Sequence, residues 1–301
     1  MPVLRLLAVL LLILPFKAWA APLVDAAWLA ATAPAERVVL DLRAQADYER
    51  AHIPGAVRTD FAKDGWRVTD RNGVPFMLPE PAQLEALFGG LGIGNGDPVV
   101  IAVAGTSAME FSAATRVYWT FRMAGHDAVS ILNGGMAAWT ADSMRPLEAG
   151  AVKRPPKAYR ATMHPELLAT KADVAAALGR ADIVLVDIRD SDQYLGVTKP
   201  PAPKRKGTLP GARNLPENWV TVDNGGTFRS AAALRQLAYV AGLPREGKVI
   251  TFCNTGQLAS LGWFVLHELL GNKDARLYDG SMVEWTMDPA TPVELKIEVG
   301  N

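Results

Sequence analysis

The chain of 301 residues has a single soft nucleophile, Cys253, and its surroundings favour reactivity. Cys253 directly follows Lys248 to Phe252, a run with the β-branched content of a strand, and Asn254, Thr255, Gly256, Gln257 and Leu258 lead from it into a helical pattern beginning at Ala259. A strand-to-helix turn of this kind stands at the carboxyl end of a parallel strand, where open α/β sheets keep their ligand sites. A short glycine-containing loop there aims several backbone N–H groups at one anion. Those groups favour a thiolate, the form of cysteine that attacks sulfur. Asn254 to Ala259 include no lysine or arginine, so the backbone must supply most of that stabilisation.

The same residues admit other chemistries. A buried cysteine closing a core strand is the bland reading. A cysteine phosphatase uses a similar strand, loop and helix but needs an arginine at the sixth position after the thiol to grip phosphate, and that position is Ala259. A papain-like enzyme needs a histidine base; of four histidines only His267 is near in sequence, inside an apolar helical pattern that reads as core. One cysteine closes no internal disulfide and supplies no paired thiolates for structural zinc.

The elements that position Cys253 occur twice. Val38-Val39-Leu40-Asp41-Leu42-Arg43, then Tyr48 and Ile53-Pro54-Gly55-Ala56, are answered by Val184-Leu185-Val186-Asp187-Ile188-Arg189, then Tyr194 and Leu209-Pro210-Gly211-Ala212. Asn133-Gly134-Gly135 leading to Trp139 is matched by Asp279-Gly280-Ser281 leading to Trp285. In each copy strand-like runs (Arg37 to Leu42, Val99 to Val103 and Val129 to Leu132; Ile183 to Ile188, Lys248 to Phe252 and Arg276 to Tyr278) alternate with helical patterns such as Ala113 to Ala124 and Ala259 to Leu270. That alternation predicts an α/β fold of two domains, each a mainly parallel sheet covered by helices on both faces. The expected division is 1–20 a signal peptide, 21–148 the first domain, 149–168 an extended, solvated, proline-rich connector, and 169–301 the second domain.

The signal peptide is read from Arg5, the apolar run Leu6 to Leu14 and the small-x-small Ala18-Trp19-Ala20; the run is too short to span a bilayer, so export without stable membrane insertion is expected. Lysine plus arginine equals aspartate plus glutamate at 31 each. No global field would steer such a chain to nucleic acid, and any preference for anions must be local.

Together these features resemble the tandem-domain rhodanese family, which includes thiosulfate and mercaptopyruvate sulfurtransferases. The resemblance rests on Asp-x-Arg followed by Pro-Gly-Ala in both copies, the Cys253 loop, Gly125 to Ser130 leading to Asn133-Gly134-Gly135, and Tyr278-Asp279-Gly280-Ser281 leading to Trp285. It implies two rhodanese-like domains and a catalytically silent first copy, in which Val103 stands opposite Cys253. It also implies a Cys253 persulfide that takes sulfane sulfur from a small anionic donor, thiosulfate or 3-mercaptopyruvate, and passes it to cyanide, a thiol or a protein thiol, with no metal or organic cofactor, in the periplasm. A non-catalytic persulfide carrier is the alternative.

The donor is left open by two departures. Neither the basic residues nor the Gly-Ser-Gly that family members carry after the cysteine is present, and Gln193, before Tyr194, stands where the family often has an arginine. Arg205 and Lys206, in a basic insertion before Pro210-Gly211, and Arg213 are the candidate replacements; a solvated loop is the competing reading. Asp187, Arg189, Asp279 and Trp285 have counterparts in the first copy, which favours structural roles.

Overall fold

The computed structural model describes residues 21–298; the expected signal peptide lies outside them. Among the described residues no helix is long and apolar enough to cross a membrane.

Among the described residues ten strands form two sheets of five, with every pairing within them parallel. The first contains β1 (Leu23–Val24), β2 (Val38–Asp41), β3 (Val57–Arg58), β4 (Val99–Ala102) and β5 (Val129–Leu132) in the order β1-β5-β4-β2-β3. The second contains β6 (Leu168–Ala169), β7 (Ile183–Asp187), β8 (Arg213–Asn214), β9 (Lys248–Phe252) and β10 (Ala275–Tyr278) in the matching order β6-β10-β9-β7-β8. The central strands are apolar on both faces because helices cover both.

On one side of each sheet lies a private cluster, with Leu29, Tyr48, Ile53 and Trp139 in the first half and Val174, Leu209, Met282 and Trp285 in the second. The other faces merge into one core that runs across both halves. At its centre the Ala108–Met123 helix packs on the Gln257–Trp263 helix, and small polar residues allow the close approach. Thr115 Oγ1 and Ser260 Oγ are 2.9 Å apart, and Gln257 Nε2 donates to Ser112 Oγ at 2.8 Å. The expected all-apolar helix is buried from Ala259 to His267, as its composition requires, and its second part, Phe264–Leu269, is wound as a π-helix.

The repeated motifs are matching staples. Tyr48 donates to the Ala56 carbonyl at 2.7 Å and Tyr194 to that of Ala212 at 3.0 Å. Trp139 and Trp285 each donate an indole N–H to a proline carbonyl seven residues on. Arg43 spans Asp41 and the Ala51 carbonyl, and Arg189 spans Asp187 and the Gly207 carbonyl. The connector is extended, as its prolines predict, and largely exposed, and it is also strapped to the first half: Lys157, Thr162 and His164 donate backbone N–H groups to the carbonyls of Gly89, Ala124 and Met123, and Tyr159 is buried.

Candidate functional site

Cys253 stands at the carboxyl end of β9, with 1 % of its surface exposed. The Thr255 N–H lies 3.4 Å from its Sγ. Ser281 Oγ is 4.0 Å from the same sulfur and accepts the N–H groups of Cys253 and Gly256, each at 3.1 Å, while donating to the Tyr278 carbonyl at 2.8 Å. Ser281 adopts a left-handed backbone (φ 49°), which costs a residue with a side chain about 1–3 kcal/mol. Its counterpart Gly135 has nearly the same angle, φ 53°, so the second copy carries a hydroxyl where the first meets the turn with glycine.

The two loops start in register, and the first runs one residue longer before its helix. Met136 and Ala137 donate N–H to the carbonyls of Val103 and Ala104, and Met282 and Val283 donate to those of Cys253 and Asn254. Val103 is thus the structural counterpart of Cys253, and Gly105 lies two residues past it as Thr255 lies two past Cys253. In the first copy the Gly105 N–H, the Thr106 N–H and the Thr106 hydroxyl all go to the Glu110 carboxylate, at 2.9, 3.0 and 2.8 Å. The first loop therefore spends its donors on an internal anion, whereas the second turns the equivalent donor to a thiol.

Further residues hold the Cys253 loop. Asn254 accepts from Arg189 Nη1 at 3.3 Å and donates to Gln193 Oε1 at 2.8 Å, so the residue standing at the family's usual arginine position touches the loop as a hydrogen-bond acceptor. Arg189 is buried and bidentate to Asp187, whose Oδ2 also accepts the Thr208 hydroxyl. Gly256 has φ 75°, and a Cβ there would come within 2.6 Å of both Arg116 Nη1 and Asp279 Oδ1. Those two side chains form a buried ion pair between the halves, and Asp279 Oδ2 also accepts the Leu78 N–H at 2.6 Å. Asn133, the counterpart of Asp279, reaches across in the same way and accepts the Phe228 N–H at 3.0 Å. Packing was the expectation for Asp279; it is also a tie between the halves.

Of the expected site residues, the structure gathers Cys253, Asn254, Thr255, Gly256, Gln257, Leu258 and Ala259 at one turn. It engages Arg205 elsewhere: both Nη atoms bond the backbone carbonyls of Asp288 and Thr291 and the Thr291 hydroxyl, at 2.7–2.9 Å. Arg213 is exposed and lies over Gly242, beside the turn that feeds the amino-terminal end of β9, opposite the Cys253 end. Lys206 is exposed, next to the Gly207 whose carbonyl Arg189 holds. His267 stacks on Trp263 at 4.6 Å within the core.

One residue with no sequence signal enters from the first half. Arg67 Nη1 donates to Gln257 Oε1 at 3.1 Å, and its guanidinium lies 4.4 Å from the Phe61 ring centroid and 4.9 Å from that of Phe76. Burial lowers its pKa to about 10, helped by Arg116 and opposed by Asp279 and Cys253.

Comparison with known proteins accords with this geometry. Residues 25–142 and 170–288 each match the rhodanese-like domain. A Mycolicibacterium smegmatis protein named "Putative thiosulfate sulfurtransferase" is 35 % identical over 257 residues, covering 82 % of this chain and 87 % of that one. A Haloferax volcanii protein of the same name is 33 % identical over 269 residues, covering 87 % and 89 %. SseA of Escherichia coli, described among 3-mercaptopyruvate sulfotransferases, aligns with a TM-score of 0.74 and 27 % identity over 87 % of this chain and 99 % of its own. The chain belongs to the rhodanese family, as two rhodanese-like domains in tandem within one polypeptide.

Proposed function

We propose that this protein is a sulfurtransferase in which Cys253 accepts sulfane sulfur from a small anionic donor, thiosulfate or 3-mercaptopyruvate, and passes it to a thiophilic acceptor. The carrying observation is the contrast between the two corresponding loops: donors at the first are consumed by Glu110, whereas the second turns the Thr255 N–H to the Cys253 sulfur at 3.4 Å. With thiosulfate, the thiolate attacks the outer sulfur, a Cys253 S–S bond forms, the donor's sulfur–sulfur bond breaks, and sulfite leaves with the bonding pair. The terminal sulfur anion then meets the backbone N–H groups of the 254–259 turn. Cyanide attacks that outer sulfur and leaves as thiocyanate, returning the thiolate.

Intact mass of the protein before and after each donor, beside Cys253→Ser, tests this. A gain of one sulfur atom that needs Cys253 and is removed by cyanide over repeated cycles supports an enzyme. A stable gain that cyanide does not remove favours the carrier, and no gain from either donor refutes the small-donor reading.

A further inference from the structure

The cations nearest the Cys253 loop are mostly spent. Arg116 is paired with Asp279, and Arg189 with Asp187, while Arg205 lies on backbone carbonyls of the carboxyl-terminal segment. Arg67 differs. It has no carboxylate within 4.0 Å among the described residues, and its Nε is shut off from solvent with no hydrogen-bond partner. Its one side-chain bond goes to Gln257, the first residue of the helix that follows the Cys253 turn.

The rings of Phe61 and Phe76 hold the guanidinium in place. Phe76 is itself unusual: its backbone is left-handed (φ 67°) and its side chain is 40 % exposed, a strained placement of an aromatic at the boundary between the halves. Strain of this kind survives where surrounding structure imposes it and clusters at ligand-binding places. A cation clamped between rings, with unused donors and no counter-ion, is suited to an anionic group that presents two oxygens.

We propose that Arg67, supplied by the copy without a nucleophile, binds the anionic oxygens of the sulfur donor at Cys253. The inference rests on the sulfurtransferase reading and names the residue that performs donor recognition where Gln193 replaces the family's arginine. The shared donor chemistry is an anionic oxygen group beside a transferable sulfur, sulfonate-like in thiosulfate and carboxylate in mercaptopyruvate. As sulfite departs, it carries away the bonding pair, and Arg67 faces the charge that accumulates there.

The test compares wild type, Arg67→Gln and Arg67→Lys in two ways. The first is the thiosulfate concentration that half-saturates sulfur loading of Cys253, followed by intact mass. The second, made without donor, is the rate of Cys253 alkylation by anionic iodoacetate relative to neutral iodoacetamide. Arg67→Gln is expected to raise the half-saturating concentration about ten- to a hundredfold and to lower the alkylation ratio about tenfold, with Arg67→Lys in between. Reduction of a preloaded persulfide by neutral dithiothreitol is expected to stay unchanged, which a collapsed loop would not allow.

If wild type loads sulfur and Arg67→Gln changes neither quantity, Arg67 is not the grip, and the sulfurtransferase reading survives. If no variant loads sulfur from either donor but the iodoacetate preference still depends on Arg67, the anion grip stands and the small-donor reading fails.

Discussion

Arg116, on the central helix of the first half, and Asp279, just after β10 of the second, form an ion pair that neither half could satisfy alone. Both side chains are essentially buried, and Gly256 of the Cys253 turn packs directly against them. The pair therefore fixes the seam between the halves and the floor of the Cys253 loop together.

Arg116→Ala leaves the Asp279 carboxylate buried without its cation, and a loss of about 3–5 kcal/mol in unfolding free energy is expected. Denaturant titration measures it. The double replacement Arg116→Met with Asp279→Leu is expected to cost less than the sum of the singles, because only the Leu78 N–H is then left without its acceptor. Strict additivity would show that the two charges do not interact.

Ser281 combines a strained backbone with hydrogen bonds to the Cys253 turn, and two substitutions separate them. Ser281→Gly relieves the left-handed backbone but strands the Cys253 and Gly256 N–H groups; Ser281→Ala strands the same donors and keeps the strain. Ser281→Ala should be the less stable by about 1 kcal/mol. Both should slow sulfur loading about tenfold, since both remove the hydroxyl that shapes the turn; equal stability with unchanged loading would place Ser281 outside the reaction.

The first copy should resist conversion. On a Cys253→Ser background, Val103→Cys is expected to gain no sulfur from thiosulfate by intact mass, because Glu110 already holds the donors of that loop. Glu110→Ala alone should cost about 1 kcal/mol in thermal or denaturant unfolding, since the part-buried Gly105 N–H loses its acceptor while the exposed Thr106 donors pass to water. Sulfur uptake by Val103→Cys on that Cys253→Ser background would mean that Glu110 does not silence the loop.

Glu217 is buried beside Asp190, and desolvation with that neighbouring charge lifts its carboxyl from the ordinary 4.5 to about 7. The folded state therefore keeps a proton that the unfolded chain releases. This stability is fully present below pH 4.5 and is lost as pH rises to about 7, by up to about 3 kcal/mol. Glu217→Gln should flatten the decline over that window and raise the melting temperature above pH 7; a melting profile parallel to wild type would exclude Glu217 as its source.

The sequence was most legible where the physics is local. Val129–Leu132 and Lys248–Phe252 are strands at the bounds that their β-branched runs mark, and the turn after Cys253 lies where strand chemistry meets helix chemistry. The edge strands Leu23–Val24, Val57–Arg58, Leu168–Ala169 and Arg213–Asn214 are two residues each, too short for any periodicity. Arg205 and Arg213 drew attention as cations near a glycine turn, but long side chains find partners that spacing along the chain does not reveal. Arg67 lies 186 positions before Cys253 and comes near it only because the halves pack face to face. Ser281 was discoverable, since aligning the copies sets it against Gly135.

The near-complete enclosure of Cys253 acts as a sieve in size and in time. A thiol so shielded meets cyanide or thiosulfate, a few atoms each, far more readily than bulky disulfides, so large oxidants are excluded before their reactivity matters. The same walls would lengthen the lifetime of a sulfur atom held there: a persulfide out of contact with bulk solvent would be lost only to partners small enough to enter, or shaped to reach in.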